Sequence, residues 1–408
     1  MNAIIVTPQN LETITKDLPL LARKTLGIAV KLKNGRLDLQ LPDGIIYRCA
    51  GENSGPQAVL VVKHWGFARR LTGQGDIGLA EAYLRGEWES PDVTSFLQLF
   101  VVNHHVIVSL LANKPLVRLW QRFGHWRNRN SKSGSKRNIH AHYDLGNRFY
   151  SAWLDKSMTY SSAVFAPGET DLNLGQTRKY AQLAEQTRIT ANDHVLEIGC
   201  GWGGFAEYAA RDIGCKVTAL TISKEQFDFA QKRMFDAGLN EKVTIKLQDY
   251  RDETGTFDRI ASIEMFEAVG QEYWPTYFGQ LRDRLKVGGV AGLQVITIQD
   301  HLFEGYRREI DFIRRYVFPG GMLPSPSIMH KMGDKFGLSL AGEKIFGLDY
   351  ATTLAHWRDS FRAAWPNMGA MGFDERFRRL WEYYLSYCEA GFRAGSIDVR
   401  QLVYVKNG

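Results

Sequence analysis

Apolar and polar positions change rhythm along this chain, and the changes mark its organisation. Over the first 115 residues the rhythm is mixed. Leu11 to Lys24 spaces its apolar residues as a helix does. Lys31 to Leu41 alternates apolar and polar about Asn34-Gly35, which predicts a hairpin. Ala58 to Val62 predicts a strand, and Phe67 to Leu71 opens a helix that leads into Gly78 to Glu89. A small α+β domain is therefore expected over residues 1–115. From Ala141 onward the rhythm alternates between strand and helix. Strands are expected at His194 to Ile198, Lys216 to Leu220, Lys242 to Leu247, Arg259 to Ile263 and Val290 to Ile298. Helices fall between them, from Phe205, over Lys224 to Ala237 and near Tyr273 to Leu285. That alternation predicts an α/β domain over residues 141–408 with a doubly wound, Rossmann-like sheet. Residues 299–348 read as an insertion, with Phe318 to Pro324 as a rigid turn. Late helices are expected at Leu354 to Ala364 and Glu375 to Ala390, and Gln401 to Val405 as an edge strand.

Toward the end of the first domain lies a strongly apolar helical run, Phe96 to Leu111. It reads either as a buried core helix or as one lying in a membrane interface. Asn103-His104-His105 interrupts it, so no clean run reaches spanning length. Residues 116–140 read as a basic linker. Arg122, Arg127, Arg129, Lys132 and Lys136 stand there among Trp120, Phe123 and Trp126, with no acidic residue. Such a segment is either a solvated connection or an attractor for anionic phospholipid. The net charge of +7 favours acidic partners in general. No nucleic-acid module is visible. The four cysteines, Cys49, Cys200, Cys215 and Cys388, have no metal-ligand spacing, so no metal is expected. Their scarcity points to a reducing, cytoplasmic compartment. The amino terminus has no signal-peptide pattern.

Ligands of a doubly wound sheet bind outside the carboxyl ends of its strands. The most informative of these ends is Glu197-Ile198-Gly199-Cys200-Gly201-Trp202-Gly203-Gly204. Glycines at 199, 201 and 204 let backbone approach a ligand closely and permit positive φ. The spacing is shared with dinucleotide enzymes. Two details favour S-adenosylmethionine over nicotinamide. Glu197 can pair with a cationic amino-acid group, and the next strand ends in Thr221 without the acidic residue a nicotinamide ribose usually meets. A tight turn without ligand is the remaining alternative.

The strand ends and their flanks together resemble the cyclopropane-fatty-acyl-phospholipid synthase family, mycolic acid cyclopropane synthases included. The pieces are His142-Tyr143-Asp144-Leu145-Gly146-Asn147, Met158 to Ala163, Gly199 to Gly204, Thr221 to Gln226, Met265-Phe266-Glu267, Phe318 to Pro324, Phe346 to Tyr350 and Tyr383 to Cys388. Gly78 to Glu89 resembles the family's amino-terminal, accessory lipid-binding domain. The resemblance implies a class I methyltransferase fold that moves a methyl from S-adenosylmethionine to a cis double bond of a phospholipid acyl chain, then closes a cyclopropane ring. It implies a cofactor site lined by Tyr160, Ser161, Glu197, Gly199, Gly201, Gly203, Thr221, Ile222, Gln226, Gln248, Tyr250 and Arg251. It implies that Glu267, Tyr350 and Ile263 surround a bicarbonate ion acting as base, and that Cys388 is catalytic or structural. The implied partner is a phospholipid of an anionic membrane, met peripherally at its inner face, with a homodimer as one possible assembly.

The chain departs from that pattern at the base. Familiar members have cysteine at Ser162, glycine at Glu264, histidine at Ala268 and histidine at Gln294. Either bicarbonate is still bound, or Glu264 is itself the base. In the second case Glu267, as a like-charged neighbour, raises the pKa of one of the pair. Proton loss elsewhere on the cation then gives a methylated or methylenated chain in place of a ring.

Overall fold

The computed structural model describes residues 3–111 and 145–408, which form two compact units. The first holds the described residues up to Leu111 together with Trp365–Ser396. The second holds those from Leu145 to Ala364 together with Ile397–Gly408. The basic segment expected over 116–140 lies outside the described residues, as do His142, Tyr143 and Asp144.

In the first unit, strands β1 (Ile4–Ile5), β2 (Asn34–Gln40), β3 (Ile46–Ala50), β4 (Asn53–Val62) and β5 (Trp88–Glu89) form one sheet in the order β1-β3-β2-β4-β5. The expected hairpin about Asn34-Gly35 is corrected. Asn34 starts β2, held by its N–H on Asn103 Oδ1 at 3.0 Å and by its side-chain amide on the Val102 carbonyl at 3.1 Å. The hairpin joins β2 to β3, with Gln40 opposite Ile46, and turns at Gly44, whose φ of 86° suits glycine. The expected helix at Leu11 to Lys24 is split into Leu11–Thr15 and Leu20–Ala29. Pro19 precedes the second piece and cannot continue the first. The apolar run is likewise two helices, Val93–Val102 and His104–Leu111. Phe96, Leu97 and Leu99 of the first are buried, so that helix is a core element.

Residues 365–396 were expected in the second domain and belong to the first unit. The helix Glu375–Arg393 has an aromatic face that needs cover. Tyr383 packs on Tyr83 and Trp88, with ring centroids 5.5 and 6.4 Å away. Thr94 donates to the buried Glu389 carboxylate at 3.1 Å.

The second unit is built on strands β6 (His194–Ile198), β7 (Lys216–Thr221), β8 (Val243–Leu247), β9 (Phe257–Ile263), β10 (Leu285–Ile298), β11 (Leu338–Ile345) and β12 (Ile397–Lys406). Their order is β11-β12-β10-β9-β6-β7-β8. The strands from β10 to β8 pair in parallel, while β12 is antiparallel to both neighbours. The expected edge strand at Gln401 to Val405 is therefore internal. β11, buried only at Leu338, forms the edge beyond it. On one face of the sheet, Leu196, Ile260, Leu293, Tyr277, Phe278 and Leu281 are all buried together. Each such side chain contributes about 1.5–3 kcal/mol. This rigid sheet fixes the strand ends where the chemistry lies.

Candidate active site

The end of β6 turns sharply through the glycines. Gly199 and Cys200 both donate backbone N–H to the Leu220 carbonyl, at 3.0 and 2.8 Å, which ties the turn to β7. Gly199 has φ of 83°, and an added Cβ would meet Met265 Cγ at 2.6 Å. Gly201 has φ of 52°, and its Cβ position faces open space. The helix expected from Phe205 to Arg211 is Gly204–Tyr208, continued by a wider π-type turn at Ala209–Ile213. Glu197 is buried beneath the turn, and its Oε2 has no hydrogen-bond partner among the described residues. Burial pushes its carboxyl up to about 8, against the pull of Arg233, Lys179 and the Ala206 N–H. At the end of β7, Thr221 donates to Gln226 Oε1 at 2.9 Å, and Ser223 caps the helix Lys224–Asp236 through the Gln226 N–H. At the end of β8, Arg251 folds back on Asp249 in a two-pronged ion pair at 2.8 and 2.6 Å. Its guanidinium also lies over the Tyr250 ring, 5.6 Å from the centroid. Gln248 holds this turn to β7 through its N–H on the Thr221 carbonyl at 2.9 Å. An unpartnered buried carboxyl oxygen beside an open glycine backbone suits a cationic amino-acid group and its nucleoside. The residues present therefore fit S-adenosylmethionine.

Residues Tyr160 and Ser161 lie in the segment that runs past this turn. Tyr160 sits in an aromatic cluster, with ring centroids 5.4 Å from Tyr150, 5.7 Å from Trp153 and 5.1 Å from Trp357. Tyr350 joins through Trp357 at 6.1 Å. Aromatic faces attract cations, and a cluster of this kind suits a sulfonium or a carbocation. Ser161 accepts a hydrogen bond from Lys179 Nζ at 2.6 Å, and its carbonyl accepts from Gln176 at 2.9 Å. Lys179 is fully buried, and burial pushes it down to about 7, opposed by Glu264, Asp155 and Glu197.

Glu264, at the end of β9, is the centre of a second cluster. Its backbone is left-handed, with φ of 49°, a conformation that favours glycine. Its Oε1 accepts from the Ser162 N–H at 2.8 Å and from Gln294 Nε2 at 2.7 Å. Its Oε2 accepts from the Tyr350 hydroxyl at 2.5 Å. An ionised carboxylate offers about four lone pairs. Both on Oε1 are used, and one on Oε2 remains. Burial raises the Glu264 pKa, while Tyr350, Ser162, Gln294 and Lys179 pull it back. The outcome is a carboxyl more basic than usual, with three donors turned toward its oxygens. Glu267 follows in the next turn. Its Oε1 accepts from the Ile296 N–H at 2.5 Å, and its Oε2 is buried with no hydrogen-bond partner among the described residues. Burial, then the Glu264 charge, pushes Glu267 up to about 8. Each carboxyl opposes ionisation of the other, as like charges do. The Phe318 to Pro324 turn anchors Glu267, since Met322 N–H donates to its carbonyl at 2.8 Å.

The description mycolic acid cyclopropane synthetase matches residues 130–402. The chain belongs to this family. It is 38% identical over 351 residues to tuberculostearic acid methyltransferase UfaA1 of Mycobacterium tuberculosis, covering 84% of this chain and 81% of that one. It is 34% identical over 394 residues to cyclopropane-fatty-acyl-phospholipid synthase of Escherichia coli, covering 91% and 97%. Among solved structures it resembles mycolic acid cyclopropane synthase CmaA1 complexed with SAH and CTAB. That match has a TM-score of 0.63 at 28% identity, over 66% of this chain and 98% of that one. The expected class I methyltransferase fold is correct, and the cofactor is S-adenosylmethionine. As a family member the chain is a methyltransferase that modifies lipid acyl chains.

Within this family member, Ser162, Glu264, Gln294 and Tyr350 are brought together by direct hydrogen bonds. One expectation changes. Ser162 serves through its backbone N–H, because its hydroxyl is turned to the Ala163 carbonyl at 2.9 Å. Cys388 lies half-buried on the helix Glu375–Arg393 of the first unit. Sequence reasoning missed Lys179, Gln401 and Thr353. Thr353 accepts from the Ala163 N–H at 3.1 Å and so holds the Tyr160 to Ala163 segment against the helix Gly347–Met368. A lysine within the largely polar helix Leu172–Gln186 carries no local signal of burial.

Proposed function

We propose that this protein methylates the cis double bond of an unsaturated acyl chain in a membrane phospholipid, with Glu264 as the built-in base and a methylenated chain as product. The carrying observation is the Glu264 carboxylate, which takes hydrogen bonds from Ser162 N–H, Gln294 and Tyr350. By resemblance, these positions surround the bicarbonate of familiar members. Here a side chain of the protein supplies the carboxylate, and no ion is needed.

Bound S-adenosylmethionine supplies an electrophilic methyl group. The protein's own work is to hold the alkene in line with it, keep water out and take the proton. Transfer of the methyl makes a bond from one alkene carbon and leaves the other carbon cationic. The aromatic faces of Tyr160, Trp357 and Tyr350 stabilise that charge. A hydride shift places the cation on the carbon that bears the new methyl. Glu264 Oε2 then accepts a proton from the methyl, and the C–H electrons form a terminal methylene. The relative at 38% identity, which is named for methylation, supports this product.

Ring closure is the second reading. There the same base takes the same proton before any hydride shift, and the electrons close a cyclopropane. The Escherichia coli relative, matched over 97% of its length, favours it. The substrate would be met peripherally, since no helix among the described residues is long and apolar enough to cross a membrane. The basic segment between Arg118 and Arg137 would supply attraction to anionic lipid.

The test is incubation of the enzyme with S-adenosylmethionine and vesicles of monounsaturated phospholipid. Mass spectrometry should show acyl chains heavier by one methylene. Proton NMR of the product should then show terminal-alkene protons, where a ring would give high-field protons. No mass gain in any acyl chain would overturn the function. Ring protons would overturn the product while leaving the alkylation in place.

A further inference from the structure

The base is held by a longer device. We propose that Gln401 is a positioning residue for Glu264, acting through Gln294, by fixing which end of the Gln294 amide meets the carboxylate. This rests on the reading of Glu264 as the base. The sequence register makes the contact possible: Gln294 of β10 lies directly opposite Gln401 of β12, and beside Ile263 of β9. Both glutamines are fully buried.

An amide has a donor end and an acceptor end, and only its partners decide which way it points. Gln401 Nε2 donates to the Lys179 carbonyl at 3.3 Å and to Gln294 Oε1 at 3.0 Å. A carbonyl can only accept, so that end of Gln401 must be the NH2. Gln401 Oε1 then faces the helix Leu172–Gln186 and accepts from Gln182 at 2.8 Å and Gln186 at 3.0 Å. Lys344 Nζ, a donor only, sets Gln182 from outside by donating to its Oε1. With its oxygen turned to Gln401, Gln294 must present NH2 to Glu264 Oε1 at 2.7 Å and to the Ser162 carbonyl at 3.4 Å. Every link from Lys344 to Glu264 therefore points the same way. A donor-only ammonium stands at one end and an acceptor-only carboxylate at the other. The chain disfavours a proton on Glu264 Oε1 and leaves Oε2, beside Tyr350, to receive it. Without Gln401, the Gln294 oxygen has lost its donor, the NH2 end is placed by its two acceptors alone, and its hold on the carboxylate weakens.

The other groups that face Glu264 are Tyr350, the Ser162 N–H, and the charges of Lys179 and Glu267. None of them is bonded to Gln401 through a side chain among the described hydrogen bonds.

The test is Gln401→Met, of similar volume, with Gln401→Thr as a second variant in case the first does not fold. In either, kcat should fall roughly ten- to a hundredfold, the range for one lost hydrogen bond to a charged group. KM for S-adenosylmethionine should stay near the wild-type value. The acid limb of the kcat–pH profile should move to higher pH, because a donor that favours the ionised carboxylate is gone. Infrared titration of the protein without cofactor should show the same upward move of the Glu264 carboxyl band, assigned by its loss in Glu264→Gln. In the double variant Gln401→Met/Gln294→Met the loss should equal that of Gln294→Met alone, since one acts through the other. Additive losses, or an acid limb that does not move in a folded Gln401 variant, would overturn the proposal. Full activity in Glu264→Gln would overturn the reading of the base beneath it; an inactive Glu264→Gln beside a wild-type-like Gln401→Met would overturn this inference alone.

Discussion

Replacing Glu264 with glycine removes the proposed base and leaves its seat. The left-handed backbone at φ of 49° costs a non-glycine residue about 1–2 kcal/mol, which glycine regains. Against this, the Ser162 N–H, the Gln294 amide and the Tyr350 hydroxyl lose their acceptor. Each buried group left unsatisfied costs about 1–3 kcal/mol, so the variant should be less stable by several kcal/mol when nothing fills the site. A small carboxylate-like anion fits the vacated donors. At a hundred times its Kd, bicarbonate should return about 2.7 kcal/mol of stability. Activity should fall by roughly 10²–10⁴-fold, the usual contribution of a positioned general base, or about 2.7–5.4 kcal/mol of barrier. The assay is transfer of labelled methyl into phospholipid in carbon-dioxide-depleted buffer, with and without bicarbonate, beside a thermal-shift titration. Bicarbonate should restore both Tm and rate in Glu264→Gly and leave the wild type unchanged. A wild type strongly stimulated by bicarbonate, beside a Glu264→Gly enzyme that is as fast as it under the same conditions, would refute the reasoning.

Three further outcomes are expected. Gly201→Val should abolish cofactor binding in calorimetry while circular dichroism stays native, because a branched side chain fills the open space at that glycine; wild-type affinity would refute the placement of the site. Glu267, pushed up to about 8 in the folded state against about 4.3 unfolded, contributes stability that is present at low pH and is lost as pH rises through about 8. Glu267→Gln should therefore gain Tm relative to wild type between pH 5 and pH 8, and a difference independent of pH across that window would count against a buried, protonated Glu267. Reversing charge at Arg127, Arg129 and Lys136 should weaken sedimentation with anionic vesicles by about a hundredfold or more, at roughly 1 kcal/mol per basic residue, and added salt should do the same. Equal binding of the wild type to neutral vesicles would remove the electrostatic part.

Much of the fold was legible because its signals are local. The strands His194–Ile198 and Lys216–Thr221 are short apolar runs closed by turns, and the glycine motif between them lies in a dozen consecutive residues. What was misread depended on distant partners. Asn34-Gly35 has the composition of a turn, but Asn103, nearly seventy residues away, draws it into a strand. Gln401 to Val405 looks like an edge, but β11 pairs outside it, and only the pairing makes it internal. The helix Glu375–Arg393 lies in sequence between two parts of the second unit, yet its aromatic face is matched by Tyr83 and Trp88.

The site divides along the same line, and its departures are more informative than its matches. Glu264 and Gln294, thirty residues apart, read in the sequence as joint departures at the base, without showing how they meet. In the structure they are one change: a carboxylate moves in on a backbone shaped for glycine, and the neutral amide beside it supplies a donor without adding a second titrating group. An imidazole at 294 could lose or gain a proton beside the base, and so couple its own titration to that of the carboxylate. An amide has no such freedom, only an orientation, and Gln401 removes that too. Ser162 completes the logic. Its side chain is turned away, so the loss of a cysteine there costs the base nothing, because the backbone N–H that holds Glu264 is common to every residue but proline. Of the two readings the sequence left open, bicarbonate still bound or Glu264 as base, these contacts favour the second.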